Sequence, residues 1–94
     1  MEIRYSKSAL KALQSYDKPT RMRIRNKIDG LTLTPPVGDI KPLAGESGVY
    51  RLRVGKFRVK YEYACEGTIC LGEVIKCANI LQIIDIDSRG NIYN

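Results

Sequence analysis

Ninety-four residues suit one domain spanning 1–94, long enough to bury a core and too short for two. Hydrophobic content of 44% and charge content of 28% exclude a disordered chain, and 16 Lys and Arg against 10 Asp and Glu leave a formal charge of +6 that favours a polyanionic or acidic partner. Histidine, the usual neutral-pH base and commonest metal ligand, is absent, and Cys65, Cys70 and Cys77 lack Cys-x-x-Cys spacing, which argues against a disulfide framework and a zinc site.

The N-terminus carries no signal-peptide h-region and no apolar run approaches the roughly 20 residues of a membrane span, so a cytoplasmic protein with reduced thiols is expected. Met1 to Tyr5 alternates as a short strand with Ile3 and Tyr5 on one face. Ser6 stands at a helix N-cap, and Ala9, Leu10, Leu13 and Tyr16 recur at helical spacing to about Tyr16. Asp17-Lys18-Pro19 breaks that helix and opens a second, because proline suits a first helical turn. The second helix sets Met22, Ile24, Ile28 and Leu31 among Arg21, Arg23, Arg25 and Lys27. Those charges read as a solvated face, as an anion-contacting surface or as a docking face for an acidic partner. Thr32 to Gly48, rich in proline and glycine, reads as a loop tethered to the core by Val37, Ile40 and Leu43.

Val49 to Tyr63 (VYRLRVGKFRVKYEY) contains two alternating runs joined by Gly55-Lys56, the pattern of a hairpin with a type II′ turn. That turn sets Val54 opposite Phe57, Leu52 opposite Val59 and Tyr50 opposite Tyr61 on one face. On the other it sets Arg53 opposite Arg58 and Arg51 opposite Lys60. Facing like charges cost about 0.2–1 kcal/mol per pair, less than the roughly 1.5–3 kcal/mol from burying each large apolar partner. The hairpin therefore forms despite the cations, and folding does not require them. Thr68 to Lys76 fits either a strand extension or a partly ordered excursion. Ile80 to Ile86 is rich in β-branched residues and apolar on both faces, as a central strand would be. The order β-α-α-β-β-β implies an α+β domain: an N-terminal strand and a helical hairpin packed on one face of a mostly antiparallel sheet, whose other face carries Arg51, Arg53, Arg58 and Lys60.

Arginine presents a planar fork of donors that matches phosphate and stacks on bases, so this face suits RNA. No metal motif, nucleophile elbow, Gly-rich phosphate loop or paired carboxylates occur. What these residues permit is metal-free handling of a phosphodiester, with preorganised Arg stabilising the developing charge and the RNA 2′-hydroxyl attacking.

The hairpin with its flank, PLAGESGVYRLRVGKFRVKYEY from Pro42 to Tyr63, and the closing IDIDSRGNIY from Ile84 to Tyr93 resemble the RelE/ParE superfamily of toxins. The resemblance spans nearly the whole chain. It implies a small α+β fold, a cognate antitoxin partner, no metal or other cofactor, no membrane and, in the favoured RelE branch, cleavage of mRNA on the ribosome. The alternatives are a ParE-like gyrase inhibitor without enzyme activity and a degenerate toxin that keeps only antitoxin binding. Carried over to this chain, the catalytic set is Arg51, Arg53, Arg58, Arg89 and Tyr93. Arg51 and Arg53 would orient the 2′-hydroxyl and phosphate, Arg58 would stabilise the transition state, Arg89 would assist the leaving group and Tyr93 would stack on a base. Lys56, Lys60, Arg21 and Arg25 are the further RNA contacts expected, and the toxin alone is expected to be monomeric. Arg51 and Arg53 stand where relatives often carry Lys, and a guanidinium with pKa above about 12 is a poor base. Proton abstraction is then left to Tyr93 or the ribosome.

Overall fold

The computed structural model describes residues 1–64 and 79–88. Its elements run β1 (Glu2–Tyr5), α1 (Lys7–Ser15), α2 (Lys18–Asp29), a 3-10 turn (Gly30–Thr32), β2 (Asp39–Pro42), β3 (Val49–Val54), β4 (Phe57–Ala64) and β5 (Ile80–Asp87). The strands form one sheet in the order β1-β5-β4-β3-β2, antiparallel except for the β1–β5 pair, and both helices pack on one face of it. This is an α+β fold.

Each helix starts where a short polar side chain replaces a missing backbone partner. Ser6 Oγ accepts from the Ala9 amide at 3.0 Å, and Asp17 Oδ1 accepts from the Thr20 amide at 3.2 Å, with Pro19 in the first turn of α2. Ser6 also donates its hydroxyl to the Ile84 carbonyl at 2.5 Å, so one residue caps α1 and ties it to the central strand. Ser6→Ala removes both bonds and is expected to lower stability by about 1–2 kcal/mol, measured by urea unfolding.

The core joins Ala9 and Leu13 of α1 and Ile24 and Ile28 of α2 to Leu52, Val54, Phe57, Val59, Tyr61, Leu81, Ile83 and Ile86 of the sheet. Leu10 and Met22, expected to face this core, are exposed. The buried stripe of α1 runs through Ala9, Leu13 and half-buried Tyr16, leaving Leu10 about 100° away. Met22, two residues before Ile24, falls on the far side of α2 for the same reason.

The segment read as a loop contains an edge strand. Asp39–Pro42 pairs antiparallel with β3, placing Ile40 opposite Leu52 and Pro42 opposite Tyr50. Proline is tolerated there because β2 is the last strand in the order of the described sheet, where proline's missing N–H costs least. Gly45 and Gly48 take positive φ in the turn that follows, where the Leu43 amide bonds the Val49 carbonyl at 2.9 Å. Leu43 is buried and Ile40 half-buried, as expected of tethers, but Val37 is exposed.

β5 lies between β1 and β4 as the central-strand reading requires. Lys60 pairs with Asp85 and Tyr61 with Ile83, so Ile84 is an extra residue in β5. That bulge lets Ile83 and Ile86 both enter the main core, while Ile84 joins Leu43 and Val49 in a second small cluster. The stretch 68–76 and the three cysteines lie outside the described residues.

Tyr61 is almost fully buried, stacked on Tyr50 at 5.7 Å and edge-on to Tyr63 at 5.7 Å, and the Tyr63 hydroxyl donates to the Leu31 carbonyl at 2.8 Å. Burial, reinforced by the neighbouring Tyr63 and Tyr50 phenols, holds the Tyr61 hydroxyl well above the ordinary tyrosine range. The neutral phenol is thus favoured by the fold, and its contribution is complete below the unfolded-state pKa of about 10 and lost as pH rises beyond it. The urea midpoint is expected to fall above that pH, and to fall less steeply in Tyr61→Phe.

Candidate nucleic-acid interface

The β3–β4 hairpin has the register its alternation predicts: Val54 opposite Phe57, Leu52 opposite Val59, Tyr50 opposite Tyr61, Arg53 opposite Arg58 and Arg51 opposite Lys60. Gly55 takes φ +59° and Lys56 does not have positive φ, which fits the type II′ turn. The apolar partners face the helices, so the cations belong to the opposite face.

Those cations are not equivalent. Arg53 is exposed and Arg58 half-buried, with Arg58 Nη1 at 3.5 Å from the Gly55 carbonyl and 3.4 Å from the Phe57 carbonyl. These two bonds hold the guanidinium beside the turn. Lys60 is ion-paired with Glu46 at 3.0 Å. Arg51, expected on an open face, is buried, with 7% of its side chain exposed and its nearest guanidinium nitrogen 3.9 Å from an Asp39 oxygen. At that distance the contact is an ion pair rather than a hydrogen bond. The acidic partners come from β2 and the turn after it, the segment read as a loop. Among the described residues Arg51 and Lys60 are ion-paired with Asp39 and Glu46, while Arg53, opposite Asp39 in the β2–β3 ladder, and Arg58, opposite Asp87 in the β4–β5 ladder, are the pair better placed for an external anion.

Arg21 and Arg25 do not join them. They lie on α2, in the layer across the sheet, where Arg21 Nη1 donates to the Tyr16 carbonyl at 3.2 Å and Arg25 lines a shallow pocket with Met22, Asn26 and Asp29. Lys56 is exposed at the turn, its ammonium 5.5 Å from the centre of the Phe57 ring. Arg89 and Tyr93 lie outside the described residues. No helix among the described residues is long and apolar enough to cross a membrane.

Neither a protein-family model nor a curated protein sequence matches the chain. Solved structures do match. A chain of the archaeal RelE-RelB complex from Pyrococcus horikoshii OT3 superposes with a TM-score of 0.69 at 26% identity, over 97% of this chain and 97% of that one. The chain is RelE-like. The toxin-antitoxin complex RelBE2 from Mycobacterium tuberculosis shares the fold at TM-score 0.66 and 20% identity, over 94% of this chain and 96% of that one. The RelB-RelE antitoxin-toxin complex from Methanococcus jannaschii does so at 0.61 and 21%, over 89% and 87%.

In this RelE-like chain, one cation at the hairpin escaped sequence reasoning. Arg23 reaches from α2 to the turn, its Cζ 5.9 Å from the centre of the Phe57 ring. Its neighbours Arg21 and Arg25 look identical in sequence, and only the crossing of α2 over the end of the hairpin distinguishes it.

Proposed function

We propose that this chain is the toxin of a type II toxin-antitoxin pair and that it cuts mRNA on the ribosome. The observation that carries the reading is the Arg53–Arg58 pair, two guanidinium groups in register on the sheet face opposite the helices of a RelE-like fold. In the reaction the 2′-oxygen attacks the adjacent phosphorus while the P–O5′ bond breaks. The 2′-hydroxyl proton passes to the Tyr93 side chain in its phenolate form or to a basic group of the ribosome, and the leaving 5′-oxygen takes a proton from water while Arg89 stabilises its negative charge. The products are a 2′,3′-cyclic phosphate and a 5′-hydroxyl.

Arg58, held against two carbonyls, is suited to meet charge as it develops on the phosphate. Arg53 contributes a second fork from the facing strand. Arg51 is buried, and its part is to add positive field beneath the face and to hold the strand through Asp39, rather than to touch RNA.

Primer extension on mRNA translated in vitro tests the reading. Cleavage is expected with ribosomes and not without them. No cleavage, or undiminished cleavage in an Arg53→Ala/Arg58→Ala variant, overturns it, and gyrase inhibition without cleavage would assign the chain to the ParE kind instead.

The likeness to RelE chains solved together with RelB supports an antitoxin partner. With a formal charge of +6, the toxin favours an acidic segment in that partner. Action on the ribosome would place the protein in the cytoplasm.

A further inference from the structure

We infer that the tip of the hairpin holds a second phosphate site, built by Arg23 of α2 with Lys56 and Arg58, which takes the backbone of a single-stranded RNA as it leaves the sheet face. This rests on the ribonuclease reading above and extends it to the substrate's path. Three contacts define the site. A Cβ placed on Gly55 would lie 3.7 Å from an Arg23 Nη nitrogen. Arg23 and Lys56 both lie over the Phe57 ring, at 5.9 and 5.5 Å from its centre. Arg58 Nη1 stands 3.5 Å from the Gly55 carbonyl. Cations from two layers of the fold thus converge on one two-residue turn, and Arg58 belongs to both this cluster and the sheet face.

Phe57 explains how the cluster is tolerated. Its ring is buried, backed by Tyr16 at 4.9 Å, so it is not a stacking surface for a base. It offers a π face to cations, which lowers the cost of holding them close while leaving donors of the exposed Arg23 and Lys56 turned to solvent. Among the described residues the acids nearby are Asp17, close enough to act on Arg23 and Arg21, Asp87, opposite Arg58 in the β4–β5 register, and Asp85, which with Asp87 acts on the Tyr16 phenol behind the Phe57 ring. Asp85 accepts from the Ser8 hydroxyl and the Ile86 amide, which directs it to the start of α1 rather than to the turn. Arg21 and Arg25 are turned elsewhere, to the Tyr16 carbonyl and to the pocket beside Asp29. Arg23 is thus the arginine of α2 that the fold commits to the hairpin.

The test is fluorescence anisotropy of a short labelled single-stranded RNA across a salt series, with urea unfolding run on every variant. Each phosphate contact contributes about 0.7 to the slope of log affinity against log salt for single strands. Arg23→Gln and Lys56→Gln are each expected to reduce the slope by about that amount, and Arg23→Lys to restore it. Lys7→Gln, which removes the same charge from the start of α1, should leave it unchanged. An unchanged slope in Arg23→Gln overturns the site, as does an equal fall in Lys7→Gln, which would mean a diffuse field. Wild-type protein that binds no RNA and cleaves no mRNA overturns both this site and the ribonuclease reading. Cleavage and binding indifferent to Arg23 overturn the site alone.

Discussion

Arg58→Ala is expected to slow mRNA cleavage on the ribosome about 10²–10³-fold, the loss seen when a preorganised donor to a developing oxyanion is removed. The expectation follows from how Arg58 is held. β4 lies between β3 and β5, so the backbone under Arg58 is bonded on both sides. The guanidinium is kept beside the turn by the Gly55 and Phe57 carbonyls at 3.5 and 3.4 Å, with Arg53 across one strand and Asp87 across the other. A donor fixed before the substrate arrives needs no reorganisation when charge builds on the phosphate. The loss should therefore fall on the cleavage rate at saturating ribosome rather than on toxin binding. Arg58→Lys is expected to recover only part of it, because an ammonium is a point charge without the planar fork. Stability should change little, since relief of the Arg53–Arg58 repulsion is worth about 0.2–1 kcal/mol. A variant that cleaves as fast as wild type in single-turnover primer extension would remove Arg58 from the chemistry.

What sequence could and could not show about this site follows from the range of the interactions involved. The hairpin register was legible because period-two alternation and Gly55 act within a few residues of each other, and Ser6 and Asp17 announce their helices for the same reason. β2 was hidden because an edge strand needs only one partner and one inward residue, Ile40, so proline and glycine around it mask the pattern. With β2 hidden, so was Asp39 beside Arg51, and with the following turn unread, so was Glu46 beside Lys60. Four cations in alternation therefore read as an open basic face, although among the described residues Arg51 and Lys60 are ion-paired with Asp39 and Glu46. Arg23 was invisible for a different reason. Helical periodicity separates the buried Ile24 and Ile28 from the charges around them, but it does not say which exposed charge meets a strand from elsewhere in the chain. The RelE/ParE resemblance read from the hairpin, by contrast, did not depend on which cations were paired, and the RelE-like fold agrees with it.

The second large effect is expected under the basic face rather than on it. Leu52 is fully buried on β3 between Arg51 and Arg53, opposite Val59, and Ile40 of β2 pairs with it. Leu52→Ala should lower stability by about 2–5 kcal/mol in urea unfolding, a large share of the roughly 5–15 kcal/mol that holds a small domain folded. The site has a built-in check on this account. Gly38 has φ +146°, and a Cβ there would lie 2.7 Å from Leu52 Cδ1. Gly38→Ala therefore carries two penalties, backbone strain and overlap with Leu52. Strain persists whatever Leu52 becomes, but the overlap disappears once Leu52 is cut back to alanine, and the added methyl then occupies part of the space left. The double variant should be more stable than the sum of the two losses predicts, by about 0.5–3 kcal/mol, the range for residues in contact. Strict additivity would mean that β2 does not pack on Leu52 as described. It would also weaken the placing of Asp39, which the same β2–β3 ladder sets opposite Arg53 and whose carboxylate lies 3.9 Å from the Arg51 guanidinium. Loss of the coupling would thus show in one measurement that the basic face is more open than its carboxylate partners make it.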